Sequence, residues 1–255
     1  MLPLADPLFY AVAVPAVVLA GLSKGGFGGS IGMLAVPLMA LAIPPVQAAG
    51  ILLPILVVMD LIGLFAYRGV YDRRSLALLL PAGVAGVAFG WATASLVEDA
   101  HVTLLVGVLC LVFVAERFRP KTGAAEAPHG HRPLAGALWG AVSGFTSFVS
   151  HTGGPPFQLY MVPLRLAPML FAGTAVIFFS AINAVKLVPY FYLGQFDARN
   201  LATAAVLLPL APLSTLAGVW LVKRVKPQTF YGVIYAAMTV IGCKLVYDGI
   251  RQLIG

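Results

Sequence analysis

Residues 21–29, GLSKGGFGG, interrupt an apolar segment that begins near residue 7 and continues to residue 59 with no charged residue after Lys24. A helix that crosses a bilayer needs about 20 mostly apolar residues. The uncharged run 25–59 is therefore too long to be one helix. Clustered glycines are typical of helix ends and turns. The sequence thus predicts a helical hairpin over residues 7–43 that is broken at these glycines.

A second glycine segment, residues 151–156 (HTGGPP), divides the uncharged run 133–164 in the same way. It predicts a second broken hairpin over residues 134–166. Unwound backbone is unstable against lipid, because its N–H and C=O groups find no partner there. Both breaks should therefore be buried in protein or line a wet cavity. The sequence leaves open whether the arms of each hairpin cross the bilayer fully or re-enter.

The composition is that of an integral membrane protein. Of 255 residues, 60% are hydrophobic and 10% are charged, and the mean hydropathy is +0.96. Further apolar runs predict three membrane helices after each hairpin. They cover residues 46–67, 75–97 and 101–116, and then residues 170–192, 200–222 and 229–250.

Few other classes of ligand fit this chain. The net charge of +7 is not arranged as a basic face with interleaved aromatic residues, so no nucleic-acid partner is expected. Cys110 and Cys243 lie far apart in apolar runs and offer neither a disulfide framework nor metal-ligand spacing. We expect no metal and no cofactor.

Basic residues predict the orientation in the membrane. Clusters of Arg and Lys fall within residues 68–74, 117–132 and 223–226. Loops rich in Lys and Arg face the cytoplasm, so we assign all three to that side. Both termini then lie on the non-cytoplasmic side of a multi-pass protein of the inner (plasma) membrane.

The chain contains an internal repeat. Residues 69–76, GVYDRRSL, recur as residues 194–201, GQFDARNL. The predicted topology places these two loops on opposite sides of the membrane. We therefore predict an all-α fold with an inverted repeat, in which residues 1–118 form the first half and residues 134–255 the second. Residues 119–133 would form a cytoplasmic linker. Inverted repeats are typical of secondary transporters, which bind substrate near the bilayer midplane.

The two glycine segments also suggest a family. Residues 21–28 with Val36-Pro37-Leu38, taken together with residues 144–147 (GFTS) and 151–156, resemble the TauE/SafE family of sulfite exporters. The resemblance extends over nearly the whole chain. It implies a multi-pass permease of the bacterial inner membrane that moves small sulfur-containing anions, such as sulfite, sulfonates or sulfoacetate, in either direction. It does not identify the anion, and it implies no enzymatic activity.

Lys24 is the main candidate for binding the anion. A lone cation at a helix break is costly in a bilayer and is expected to face a cavity or an anion, although snorkelling toward an interface would also explain it. Donors beside it and at the second break complete the candidate set: Ser23, Gly25, Gly26, Ser150, His151, Thr152, Gly153, Gly154 and Gln158. The alternative role of the glycines is close helix packing.

Asp60 and Lys186 are candidates for coupling or gating. The repeat relates their positions, so their opposite charges could pair between the halves, and Asn183 lies one turn from Lys186. A purely structural ion pair is the alternative. Proton coupling through His151 or Asp60 is favoured, and sodium coupling stays open. Residues 190–192, Tyr-Phe-Tyr, are interpreted as part of an aromatic belt.

The sequence predicts a secondary transporter that works by alternating access, whose partners are a small anion, protons and the lipid bilayer. Two other functions are considered. One is an anion channel. The other is an intramembrane hydrolase, because residues 21–25 spell the G-x-S-x-G pattern of serine hydrolases and His151 could act as its base. That match is weak, because the pattern has meaning only on a strand-turn-helix elbow.

Overall fold

The computed structural model describes residue 4 and residues 6–27, 29, 31–94, 99–118 and 130–254, and all regular structure within these ranges is helical. The predicted all-α class is thereby confirmed for this part of the chain. The helices are α1 (Pro7–Lys24), α2 (Ala35–Met39), α3 (Pro45–Ala66), α4 (Arg73–Ala92), α5 (Asp99–Phe118), α6 (Pro133–Ser150), α7 (Gly154–Met161), α8 (Pro168–Tyr192), α9 (Ala198–Leu207), α10 (Leu210–Arg224) and α11 (Pro227–Ile254). Short 3-10 turns precede α2 and follow α7.

Within the described ranges, five helices are long and apolar enough to cross a membrane, namely α1, α3, α4, α8 and α11. A sixth span results if α9 and α10, which meet at an angle of 48°, are counted together. The segment expected as a single helix over 200–222 is thus bent. Pro209 lies at the bend, and a proline has no N–H to continue the helical hydrogen bonding.

The repeated loop motif acts through its aspartates, which cap helices. The Asp72 carboxylate accepts a hydrogen bond from the backbone N–H of Ser75 at 2.7 Å, at the start of α4. The Asp197 carboxylate accepts bonds from the N–H groups of Arg199 and Asn200, both at 2.8 Å, at the start of α9. Such N-caps satisfy the free N–H groups of a first helical turn. The motif therefore marks where a helix begins after a loop.

Glycines allow two pairs of parallel helices to pack with their backbones in direct contact. In the pair α1 and α10, Gly21 lies against Ser214 and Gly25 against Gly218. In the pair α4 and α6, Gly144 lies against the backbone of Gly83. A side chain at these positions would overlap the partner helix, as in small-residue packing of membrane helices.

Helices α3 and α8 are antiparallel. Near the start of α3, Gly50 lies against Gln195, and near the start of α8, Gly173 lies against Val70. Loops 68–72 and 194–197 therefore lie at opposite ends of α3. Helices α5 and α11 form another antiparallel pair, because Gly107 lies against Val246 whereas the later Leu111 lies against the earlier Gly242.

The division of the chain into two inverted halves stays a prediction. Residues 119–129 of the expected linker 119–133, and residues 95–97 at the end of the helix expected over 75–97, lie outside the described residues.

Candidate functional site

The first break presents the carboxyl end of a helix. Helix α1 ends at Lys24, and the backbone N–H groups of Gly25 and Gly26 donate back to the carbonyls of Gly21 and Ser23 at 2.8 and 3.2 Å. The expectation that these two amides face an anion is therefore not met in this structure. A helix that stops here uses its last N–H groups internally and leaves carbonyls free instead.

The two glycines pack against other helices. Gly25 lies against Gly218 of α10, and Gly26 lies against the side chains of Val222 and Tyr67. The Tyr67 hydroxyl also donates a hydrogen bond to the Gly25 carbonyl. The structure thus places both residues in the helix-packing role.

The second break is held together by its own polar groups. Helix α6 ends at Ser150, and His151 takes a left-handed conformation with φ 54°. The hydroxyls of Ser150 and Thr152 are 2.8 Å apart. The Ser143 hydroxyl donates to the Gly153 carbonyl at 2.6 Å. The structure assigns Ser150, Thr152 and Gly153 to shaping the break rather than to the cavity wall.

Gln158 links the two breaks. Its side-chain amide donates to the carbonyl of Phe27 at 3.2 Å, across 131 residues of sequence. Helix α7, which carries Gln158, begins at Gly154 and continues with Pro155 and Pro156. Because prolines have no N–H, this helix start offers few backbone donors to an anion.

A cavity of about 50 Å³ lies between the breaks. Its wall includes five residues with a polar side chain, Ser23, Lys24, Ser147, His151 and Asn183, and three glycines, Gly29, Gly32 and Gly154. The remaining wall is apolar, with residues from α3 and with Phe179 of α8. This volume has room for a few water molecules, and therefore for a small anion.

Lys24 and Asp60 form a largely buried ion pair at this cavity. The Lys24 ammonium lies 2.6 Å from Asp60 Oδ1. The Asn183 amide nitrogen donates to the other carboxylate oxygen, Oδ2, at 2.7 Å. The Lys24 ammonium also lies 5.6 Å from the ring centroid of Phe179. One carboxylate on α3 thus connects the end of α1 to the middle of α8.

Lys186 belongs to a second network. Its ammonium, which is fully buried, donates to the Ser147 carbonyl at 2.7 Å and lies 2.8 Å from His151 Nδ1. His151 Nε2 lies 3.2 Å from the Tyr190 hydroxyl, which in turn is 3.2 Å from the Phe148 carbonyl. With a charged Lys186, this arrangement fits a neutral His151 that accepts at Nδ1 and donates from Nε2.

The direct pairing of Asp60 with Lys186 that the repeat suggested is not observed, because Asp60 pairs with Lys24 instead. The Ser–His contact that a hydrolase would need is not formed either. Both ring nitrogens of His151 are within hydrogen-bond distance of other side chains.

Ser23 has a hydroxyl with no hydrogen-bond partner among the described residues, although the residue is fully buried. It lies on the cavity wall beside Lys24. A buried polar group normally finds a partner, and its lack of one calls for an explanation. A buried hydroxyl without a partner, on a residue beside a cavity, is a candidate donor to a bound ligand.

Tyr190 was missed as a functional candidate. The sequence groups it with Phe191 and Tyr192 as an aromatic belt, and the latter two are indeed exposed, whereas Tyr190 is buried. Its spacing of four residues from Lys186 could have indicated this buried position. Residues four apart lie on the same face of a helix, so Tyr190 shares the buried face of α8 with Lys186.

The residues described here define an all-helical, multi-pass membrane protein with a charged cavity where two broken helices meet. No cluster of three or more His, Cys, Asp or Glu with metal-site geometry occurs within the described ranges. The chain matches a family model, Sulfite exporter TauE/SafE, over residues 13–245. It therefore belongs to the TauE/SafE family. Comparisons with curated proteins and with solved structures gave no match.

Proposed function

We propose that this protein is a secondary transporter that moves a small sulfur-containing anion, such as sulfite, a sulfonate or a sulfoacetate-like compound, across the bacterial inner membrane. The proposed mechanism is alternating access with proton coupling. The cavity between the two breaks carries the proposal, because it combines Lys24 with the donors of Ser23 and Asn183.

The charge at the site favours an anion. With Lys24 and Lys186 cationic, Asp60 anionic and His151 neutral, the cluster carries one net positive charge. Charged side chains within a membrane are costly and are retained mainly for function. An ammonium, an amide and a hydroxyl are also the kinds of donor that bind the oxygens of a sulfur oxyanion.

The helix pairing supports alternating access. If the two predicted halves are exchanged, the pair of α1 and α10 corresponds to the pair of α6 and α4. The pair of α3 and α8 and the pair of α5 and α11 each correspond to themselves. Each predicted hairpin therefore packs on a helix of the other half. The two breaks meet at the cavity, as expected for a transporter whose halves rock around a central site.

Thermal stabilisation by anions tests this proposal. Purified protein in detergent would be heated with sulfite, sulfate, thiosulfate, taurine, sulfoacetate and simple carboxylates. A ligand at about 100 times its Kd stabilises the folded state by about 2.7 kcal/mol. We expect a selective increase in Tm with one sulfur anion.

Two variants locate that effect. Lys24→Gln keeps a hydrogen-bond donor for Asp60 but removes the cation, and we expect it to abolish the increase in Tm. Lys244→Ala is the matched control, because Lys244 pairs with Asp248 at the surface of α11, away from the cavity. A full increase in the Lys24→Gln variant, or no increase with any sulfur anion, would contradict the proposal.

A further inference from the structure

We infer that Asp60 is the coupling residue of this transporter, because its carboxylate holds the two donors that a bound anion requires and releases them only when it takes up a proton. The inference rests on the proposed function. It specifies how the coupling proton and the anion use the same site.

The geometry places Asp60 in competition with a ligand. Lys24 and Asn183 both line the cavity, and both contact the Asp60 carboxylate, at 2.6 and 2.7 Å. Asp60 itself is only 3% exposed and does not form part of the cavity wall. It therefore lies outside the cavity wall and contacts both donors there.

An anion bound to Lys24 would meet the negative charge of Asp60. A ligand oxygen that accepts from the same ammonium lies about 3 Å from that nitrogen, which puts it within a few ångströms of Asp60. Like charges at such a distance repel strongly where water is scarce. Protonation of Asp60 removes this repulsion.

The other charged groups around Asp60 fit this exchange. Lys24 faces it from α1, and Lys186, paired with His151, is the buried cation of α8. Helix α2 carries no charged residue, and the charged residues of α9 and α10, Arg199, Lys223 and Arg224, are exposed at helix ends. Uptake of one proton together with one singly charged anion leaves the net charge of the buried cluster unchanged.

The step consists of a proton transfer and an exchange of hydrogen bonds. A proton from water binds a carboxylate oxygen of Asp60, and the ion pair with Lys24 is lost. The Lys24 ammonium then donates to an oxygen of the anion, and Asn183 turns its amide toward the cavity. Release of the anion reverses the sequence, and the proton leaves with it on the same side of the membrane.

Proton uptake on binding of sulfite tests the inference. Purified wild-type protein and the Asp60→Asn variant would be mixed with sulfite in weakly buffered detergent solution, and the pH change would be recorded. The protonation of sulfite itself is common to both samples and cancels in the difference. We expect the wild type to take up about one more proton per bound sulfite than the variant.

The affinity should show the same linkage. Where Asp60 is ionised in the free protein, the ratio of the wild-type to the Asp60→Asn dissociation constant should rise by about tenfold per pH unit. The sign follows from the step, because a higher pH removes the proton that the wild type needs and the variant does not. At low pH the two dissociation constants should converge.

Infrared difference spectroscopy keeps the test decisive if Asp60→Asn folds poorly. Addition of sulfite to the wild type should produce the C=O band of a newly protonated carboxylic acid. The inference is wrong, and the proposed function still stands, if sulfite binds without uptake of an extra proton, produces no such band and shows an affinity ratio that does not change with pH. If sulfite and the other sulfur anions do not bind at all, the proposed function itself fails.

Discussion

Lys24 shows how far single residues can be interpreted from the sequence. A lone lysine beside clustered glycines predicts a charge that faces a cavity, and the structure places Lys24 on a cavity wall. Its partner Asp60 lies 36 residues away, and the sequence instead suggested Lys186 for that pair. Charge alone would allow Asp60 to pair with either lysine. Only the packing of α1 against α3 determines that Lys24 is the partner.

At the same scale, Ser23→Ala separates a ligand-binding role from a structural one. Removal of a buried hydroxyl that has no partner should leave the fold as stable or stabilise it by about 1 kcal/mol. The same change should weaken sulfite binding about twofold to tenfold, because one hydrogen bond to the ligand is lost. Denaturant unfolding and sulfite titration measure the two effects.

Ser75→Ala is the matched control, because the Ser75 hydroxyl is also buried without a partner in the described part of the chain but lies at the start of α4. It should reproduce the stability effect and leave sulfite binding unchanged. Equal losses of affinity in the two variants would remove Ser23 from the binding site.

Tyr190→Phe tests the network around His151. The change keeps the ring and deletes the hydroxyl that contacts His151 Nε2 and the Phe148 carbonyl. We expect a loss of about 1 kcal/mol in the free energy of unfolding. Tyr192→Phe, at a residue that is 74% exposed, should have little effect. Similar values for both variants would show that the Tyr190 hydroxyl does not stabilise the fold.

At the scale of helices, the glycine segments predict the positions of the breaks but not their polarity. Helix α1 ends at the first segment and α7 begins at the second. Glycine is compatible with either end of a helix, so the sequence could not establish that Gly25 and Gly26 use their amides within α1. Their contacts with α10 depend on which helices become neighbours, which no local pattern encodes.

Gly25→Ala tests the packing role of that glycine. An added Cβ would lie 2.4 Å from the Thr215 carbonyl oxygen and 2.6 Å from Gly218 Cα. Because backbone atoms cannot move aside easily, we expect a loss of about 1–3 kcal/mol in the free energy of unfolding. Gly232→Ala in α11, where nothing lies within 4 Å, is the control and should be neutral or stabilising. A Gly25→Ala variant of normal stability that binds sulfite poorly would instead restore Gly25 to the anion site.

At the scale of the whole molecule, hydropathy and proline and glycine positions were sufficient to predict an all-helical membrane protein. The length of a bilayer-crossing helix is a strong constraint that local sequence satisfies. The bend between α9 and α10 was not predicted, because Pro209 in an apolar run is tolerated in many membrane helices. The inverted arrangement of the halves still needs a test of membrane sidedness.

Cysteine labelling provides that test. Arg73 and Arg199 are exposed and begin equivalent helices of the two predicted halves. In a background without Cys110 and Cys243, a membrane-impermeant maleimide should label Arg199→Cys in intact cells. It should label Arg73→Cys only after the cells are permeabilised. Labelling of both cysteines from the same side would exclude the inverted repeat.

Counterflow in proteoliposomes tests the central claim, that this protein carries a sulfur anion by alternating access, most directly. Vesicles loaded with unlabelled sulfite would be diluted into a trace of radiolabelled sulfite. We predict a transient, saturable accumulation of label that Lys24→Gln abolishes and Lys244→Ala preserves. Flux that rises linearly with sulfite concentration, without transient accumulation, would indicate a channel and contradict the account.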